Sequence, residues 1–106
     1  MSDQIRASHI LISHKDADGG LSRLTPDDAR TQIGALQDRI RQGDAFAEVA
    51  KEWSDCPSGR SGGDLGYFGK GAMVPEFEQA AFELDVGGVS DVIETAFGYH
   101  LIQRTG

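Results

Sequence analysis

Residues 5–13, which read Ile-Arg-Ala-Ser-His-Ile-Leu-Ile-Ser, predict a β-strand at the centre of a sheet. Successive side chains of a strand point to opposite faces of the sheet. One face of this strand therefore carries Ile5, Ala7, His9 and Leu11, and the other face carries Ile10 and Ile12. Because both faces carry apolar side chains, both must be covered by other parts of the chain, which is typical of a central strand.

The rest of the chain predicts helices and short strands around this strand. Thr25 and Pro26 mark the start of a first helix that ends before Gly43, since threonine caps helices and proline fits their first turn. Asp44 is the predicted cap of a second helix, which ends near Trp53, and the indole of Trp53 fits the helix core. The remaining predictions are a loop or short helical turn over 54–63, a strand over 64–69, a third clear helix from position 74 or 75, and strands over 89–94 and 99–104. This order indicates an α+β domain on a mostly antiparallel sheet.

Length and composition predict one globular domain over residues 1–106. Of the 106 residues, 39% are hydrophobic and 25% are charged, which are ordinary globular values. The net charge of −7 disfavours binding to nucleic acid or to an anionic membrane surface. A single cysteine and the lack of an apolar run of about 18 residues favour a reducing, cytoplasmic location without a membrane span. We expect the protein to be a monomer.

Glycine is unusually frequent, with 14 residues, most of them beyond Cys56. Their spacing matches neither a phosphate-binding loop nor a dinucleotide-binding motif, so they indicate tight turns and close backbone approaches. Gly34 lies inside the first predicted helix, where glycine costs about 1 kcal/mol relative to alanine. We therefore expect another element to pack closely against Gly34.

Three histidines and one cysteine are the reactive side chains of the chain. His9 and His100 both lie in the middle of predicted strands, so their imidazoles would meet on one sheet face if those strands are neighbours. The alternative is a pair of half-buried histidines that are satisfied by local polar groups. His14 ends its strand and is expected to face solvent.

Cys56 has three possible interpretations. A free cysteine is usually a small buried hydrophobic residue. Together with histidine it also suggests a thiol hydrolase, but the neighbouring Asp55 favours the neutral thiol and no oxyanion arrangement is visible. Metal binding is disfavoured because the histidines, the cysteine and the carboxylates lack the paired spacing of zinc ligands, and we expect neither a metal nor another cofactor.

An apolar set brackets the start of the third clear helix and consists of Leu65, Phe68, Met73 and Phe77. These side chains form either part of the core or an apolar pocket for a small ring, which aromatic and methionine side chains line well. The sequence pattern alone leaves both possibilities open.

Several blocks of the chain, taken together, resemble the parvulin-type peptidyl-prolyl cis/trans isomerases. The blocks are Ser-His-Ile-Leu-Ile at 8–12, residues 46–58 with Trp-Ser-Asp-Cys-Pro-Ser at their end, Gly-Asp-Leu-Gly-Tyr-Phe at 63–68, Gly-Ala-Met-Val-Pro-Glu-Phe at 71–77 and Phe-Gly-Tyr-His-Leu-Ile at 97–102. They occur in the family's order and cover almost the whole chain, which makes the resemblance specific.

The resemblance implies an FKBP-like fold, with a four-stranded antiparallel sheet surrounded by about four helices in the order β-α-α-α-β-α-β-β. It also implies the members of a catalytic cleft. By this resemblance the paired imidazoles are His9 and His100, Thr95 joins their polar network, Cys56 lies at the edge of the site, Leu65, Met73 and Phe77, with Phe68 beside them, line a proline pocket, and Ser58 supplies a cleft-side hydroxyl.

The chain departs from the phospho-specific branch of this family, which carries an arginine cluster after the first strand. Here the loop over residues 15–23 reads Lys-Asp-Ala-Asp-Gly-Gly-Leu-Ser-Arg. Two carboxylates and scattered single cations do not form a multidentate phosphate site. The branch's tryptophan-rich module is also missing, since Trp53 is the only tryptophan.

The predicted function is cis/trans isomerisation of Xaa-Pro bonds in peptides and unfolded proteins. Such an enzyme acts without covalent chemistry, by favouring a twisted amide over either planar form. The alternative is a peptide-binding or chaperone module with little turnover. The family's histidine and cysteine positions are all filled here, which favours catalysis.

Overall fold

The computed structural model describes residues 4–17 and 22–106, so part of the polar loop over residues 15–23 lies outside the described residues. Within these ranges the elements follow the predicted order, and the third helical segment is a short 3₁₀-helix. In chain order the elements are β1 (Ile5–Ile12), α1 (Pro26–Arg41), α2 (Phe46–Trp53), the 3₁₀-helix (Pro57–Ser61), β2 (Asp64–Phe68), α3 (Pro75–Glu83), β3 (Ile93–Thr95) and β4 (Gly98–Arg104). No helix in the described part of the chain is long and apolar enough to span a membrane.

The four strands form one antiparallel sheet in the order β2-β1-β4-β3, so β1 is central as predicted. Each face of β1 contacts its own hydrophobic cluster. Ile10 and Ile12 pack with side chains of α1 and α2, whereas Ile5 and Ala7 pack with β2 and α3. The apolar residues on both faces of β1 are therefore buried against different helices.

Sequence signals set the start of α1 but not the start of α2. Thr25 Oγ1 accepts a hydrogen bond from the Asp28 N–H at 3.1 Å, as expected of a cap. The prediction that Asp44 caps α2 is wrong, because Ala45 occupies the cap position and makes no side-chain bond. The Asp44 carboxylate instead accepts a hydrogen bond from Arg39 Nε at 2.8 Å. It therefore bonds to a nearby cation and not to the first N–H groups of α2.

Two packing predictions are also wrong. Trp53 is 40% exposed, because it is the last residue of α2 and the chain then turns back towards β1, where the Asp55 N–H donates to the Leu11 carbonyl. A Cβ placed on Gly34 would meet no atom within 4 Å, so no element packs closely there.

The strand predicted over 89–94 is mostly absent, since β3 has only three residues. Before it, Val89 forms an isolated bridge with Gln103. At the next residue, the Ser90 N–H donates to the Ile102 carbonyl, while Ser90 Oγ accepts from the Ile102 N–H at 3.0 Å. The Ser90 hydroxyl takes the place of a backbone carbonyl here, which interrupts the regular ladder.

Candidate active site

His9 and His100 are brought together by the register of β1 and β4. His9 pairs with Ile102 and Leu11 pairs with His100, so the two histidines are diagonal neighbours on one face of the sheet. Their Nδ1 atoms are 3.2 Å apart, and the rings stack with centroids at 5.4 Å. Both residues are buried, with 6% and 4% exposure. The predicted meeting of the two imidazoles is present in the structure.

Thr95 extends this pair into a short hydrogen-bonded chain. Its Oγ1 lies 2.7 Å from His100 Nε2 and accepts a bond from the Phe97 N–H at 3.2 Å. If the hydroxyl donates to His100, then His100 Nδ1 carries the proton and donates to His9; if it accepts, the direction reverses. In both arrangements His9 Nε2 is buried without a hydrogen-bond partner among the described residues.

Burial keeps both imidazoles neutral. It lowers the pKa of His9 to about 4, and burial together with the adjacent His9 lowers the pKa of His100 to about 4. A charged imidazole loses hydration in this apolar environment, and a second charge 3.2 Å away would add repulsion. At neutral pH the network therefore consists of dipoles rather than charges.

We expect acid to destabilise the fold between about pH 6.5 and 4. The folded pKa values are about 4 and the ordinary value is 6.5, so in this window the unfolded chain binds protons that the folded chain does not. The free energy of unfolding therefore falls as pH falls through it, by at most about 3 kcal/mol per imidazole, and is flat above it for these groups. Urea denaturation at pH 7.5, 6 and 5 measures this. A His9→Phe variant, with one titrating group fewer, should show a shallower slope, and an unchanged slope would contradict the assignment.

Phe77 forms an apolar wall beside the imidazole pair. Its ring stands roughly perpendicular to the rings of His9 and His100, with interplanar angles of 77° and 83° and centroid distances of 5.5 and 5.6 Å. Pro75 starts α3 and Phe77 follows two residues later, so the helix start places this ring over the sheet. Phe77 thus shares one environment with both histidines.

The rest of the apolar set divides between core and surface. Phe68 is buried, and its ring centroid is 6.2 Å from that of Phe77. Leu65 and Met73 pack against the same cluster but stay half-buried. The core interpretation therefore holds for the two rings, while the two half-buried side chains keep accessible apolar surface beside them and their place in a pocket stays a prediction.

Cys56 lies at the start of the 3₁₀-helix and is half-buried. The Ser58 hydroxyl donates to its Sγ at 3.2 Å. The Gly63 N–H donates to the Ser58 carbonyl, and the Gly63 carbonyl accepts from the His9 N–H at 2.9 Å, which ties this turn to β1 beside the imidazole pair. Among the described residues, the Cys56 thiol makes no hydrogen bond to either imidazole. The neighbouring Asp55 carboxylate accepts from the Ser13 N–H at 2.8 Å.

His14 does not face solvent, contrary to the prediction. It is 8% exposed, its Nδ1 accepts from the Asp16 N–H at 3.2 Å, and its ring lies 5.8 Å from that of Tyr99. Tyr99 comes from β4, so the cover over His14 is supplied by a strand that is distant in sequence.

Two residues that shape the site, Phe97 and Gly63, were not predicted to do so. The Phe97 N–H orients the Thr95 hydroxyl, and the only sequence signal for it was the turn between two predicted strands. Gly63 approaches the backbone of His9 so closely that a side chain would not fit, and its sequence signals were the general excess of glycine and its place in the block over 63–68. Within the described ranges, no group of three or more histidine, cysteine or acidic side chains is arranged to hold a metal ion.

Comparisons with known proteins agree on one family. The family model of rotamases, described as the PPIC-type PPIase domain, matches residues 9–106. The chain is 45% identical to peptidyl-prolyl cis-trans isomerase Pin1 of Digitalis lanata, over 99% of this chain and 98% of that protein. It is 44% identical to the foldase protein PrsA of Halalkalibacterium halodurans, over 96% of this chain and 26% of that protein. The solved structure of peptidyl-prolyl isomerase ESS1 from Candida albicans superposes with a TM-score of 0.93 at 42% identity, covering 98% of this chain and 63% of that one.

Proposed function

The chain belongs to the PPIC-type, or parvulin, peptidyl-prolyl cis-trans isomerases, and on this premise we propose how it rotates Xaa-Pro bonds. The expected parvulin fold is confirmed, and so is the isomerase function. The proposal is that catalysis is non-covalent. The observation that carries it is the neutral pair of His9 and His100 against the ring of Phe77, which is an uncharged, largely apolar environment.

Such an environment favours the twisted amide. Peptide planarity comes from resonance, and the rotational barrier is about 18–20 kcal/mol. Resonance places negative charge on the carbonyl oxygen, so water stabilises the planar form more than the twisted one. An amide bound in an apolar cleft loses that advantage, and each ~1.4 kcal/mol removed from the barrier accelerates exchange tenfold. The dipoles of His9, His100 and Thr95 stay fixed during rotation, so they need no reorganisation when the carbonyl turns.

We assign the grip on the proline ring to the apolar set of Leu65, Phe68, Met73 and Phe77. The half-buried Leu65 and Met73 offer accessible apolar surface, and the two buried rings support it from below. Holding the pyrrolidine ring leaves the preceding carbonyl as the part that turns. Burial of the ring would supply the binding energy without any charged contact.

Cys56 and Ser58 act as polar groups at the edge of this cleft. The Ser58 hydroxyl already donates to the Cys56 sulfur, so the pair presents a hydrogen-bonded dipole. No base among the described residues contacts the thiol, which a covalent role would require. A polar or negative side chain at position 56 should therefore support the reaction.

The substrates we propose are Xaa-Pro bonds in flexible or unfolded polypeptides, without a requirement for phosphoserine. Lys15 and Arg23, the cations of the loop after β1, are exposed, and Asp16 lies between them in sequence. The similarity to a foldase protein supports action during protein folding. We also propose a single domain over residues 1–106 and a monomer, because every member of the imidazole network comes from this one chain. The location we propose is the cytoplasm.

Exchange spectroscopy on Ala-Pro, Leu-Pro and Glu-Pro peptides tests the function directly. Catalytic amounts of the protein should broaden or exchange the cis and trans NMR signals of all three peptides. A Ser-Pro peptide and its phosphoserine form should give kcat/KM values within about threefold of each other, which is less than 1 kcal/mol. Saturable binding without exchange would favour the peptide-binding module, and a strong phosphoserine preference would overturn the proposed substrate range.

The same measurement on two variants tests the role of Cys56. Cys56→Asp should retain more activity than Cys56→Ala, because aspartate keeps a polar, negative group that alanine lacks. A larger loss in the aspartate variant would refute the non-covalent assignment.

A further inference from the structure

A second concave surface lies between α3 and β3. It is a groove of about 330 Å³ whose apolar lining comes from Ala80, Val92 and Ile93. Its acidic lining comes from Glu76, Glu83 and Glu94. The groove takes no part in the proposed catalysis, since none of these side chains belongs to the imidazole network or to the apolar set.

Helix geometry separates this groove from the active site. Glu76, Ala80 and Glu83 recur at spacings of four and three residues and so share one side of α3. Phe77 and Ala81 are buried on the adjacent face, about 100° further round the helix, against the sheet. The helix therefore presents its apolar side to the core and the histidines, and its carboxylates to the groove.

The charges of the groove are unbalanced. None of its lining residues is a lysine or arginine. In the described part of the chain, no cation lies within 4 Å of Glu76 or Glu83, although Gln79 Nε2 donates to Glu83 Oε1 at 3.4 Å. Glu94 is also near Tyr99, whose pKa is raised, first by burial and then by the charge of Glu94. On its other side Glu94 lines a neighbouring pocket together with Arg30, so the carboxylates without a nearby cation among the described residues are Glu76 and Glu83. An apolar lining with two such carboxylates matches a partner that is both apolar and cationic.

We propose that this groove binds a basic segment of a client polypeptide, in which lysine or arginine flanks a short aliphatic run. Aliphatic side chains would cover Ala80, Val92 and Ile93, and the flanking cations would meet Glu76 and Glu83. Nucleic acids and anionic lipids are excluded as occupants by the same carboxylates. This inference goes beyond isomerisation, because the binding would persist in a protein without catalytic activity.

The position of the groove gives such binding a consequence for catalysis. α3 carries Phe77 on its adjacent face, and Ile93 of β3 pairs in register with His100. A client held in the groove by a basic segment would present its prolines to the active site at a raised local concentration. Clients with a basic segment should therefore show a lower KM, with an unchanged kcat.

A proline-free peptide with lysines on both sides of a short leucine run tests the binding without involving the reaction. In NMR titrations of the full chain, it should shift the amide signals of α3 and β3, and its Kd should rise about tenfold in a Glu76→Gln/Glu83→Gln variant. The matched control is Asp38→Asn/Glu52→Gln, which removes the same charge from α1 and α2, and its Kd should stay within about twofold of the wild type. Thermal melts check that both variants fold.

Signals that shift elsewhere, or equal weakening in both variants, would overturn the groove as the site, because either result means general attraction to an acidic surface. Absence of binding at low salt would also overturn it.

An Ala-Pro substrate joined to the basic segment by a flexible linker then tests the consequence for catalysis. Its KM should be about tenfold below that of the unlinked substrate, and the groove variant should abolish this difference. The groove variant should turn over the unlinked substrate at the wild-type rate. This result would show that the isomerase proposal holds even if the inference about the groove fails.

Discussion

Phe77→Leu should lower kcat/KM for Xaa-Pro exchange by about ten- to a hundredfold, a loss of about 1.4–2.8 kcal/mol in transition-state stabilisation. The Phe77 ring is the only aromatic side chain in the described ranges that lies in edge contact with both His9 and His100. Leucine keeps most of the apolar volume, so the fold should lose only about 1 kcal/mol. It cannot keep the flat wall on which the imidazole pair and the proposed proline pocket both depend. Exchange NMR and urea denaturation measure the two effects separately.

Phe82→Leu is the matched control for this prediction. Phe82 lies on the same helix and its ring contacts Phe68 at 6.2 Å, but it touches neither histidine. Its activity should stay within about twofold of the wild type. If both variants lost activity equally, the cause would be a general loosening of the apolar cluster, and the specific role of Phe77 would be refuted.

Gly63→Ala should destabilise the protein by about 3 kcal/mol or more and can abolish folding, since domains of this size are stable by only about 5–15 kcal/mol. Gly63 has a φ of +85°, where a Cβ is strained. In addition, that Cβ would overlap the carbonyl oxygen of His9 and lie 3.1 Å from its nitrogen. Both atoms are main-chain atoms of the central strand and cannot move aside without displacing β1. The midpoint of urea denaturation measures the loss.

Gly66→Ala separates the strain of the backbone angle from the close approach. Gly66 has a φ of +71°, but a Cβ there would meet no atom within 4 Å. We expect a loss of about 1–2 kcal/mol, which is the cost of the left-handed conformation alone. Equal losses in the two variants would show that the contact with His9 contributes nothing. In that case Gly63 would be required only for its backbone angle.

The fold was predictable where the signals are local. The alternation of Ile10 and Ile12 with Ala7 and His9 along β1 predicted two covered faces, and the structure buries each against different helices. Thr25 and Pro26 marked the start of α1 because capping needs only backbone groups within the next turn. The residue pattern already indicated the histidine pair, the cysteine and the apolar set as candidates, whereas Thr95, Ser58 and the role of every member came from the family resemblance and stay predictions. Their geometry could not be obtained in this way.

The errors share a physical cause. Asp44 bonds to Arg39 instead of capping a helix, Trp53 ends its helix where no element covers it, and His14 is buried beneath Tyr99. Each outcome depends on which partner is close in space. Neither propensity nor periodicity contains that information.

The sequence by itself determined the order of the elements, the two-sided character of the central strand and the kinds of side chain available for the site. Only the tertiary structure decided that His9 and His100, which are 91 positions apart, lie within hydrogen-bond distance. It also decided that both are neutral, because the proton affinity of an imidazole depends on the water removed around it and on the groups packed against it. Those groups belong to β4, β3 and α3, and they lie close to β1 only in the folded chain.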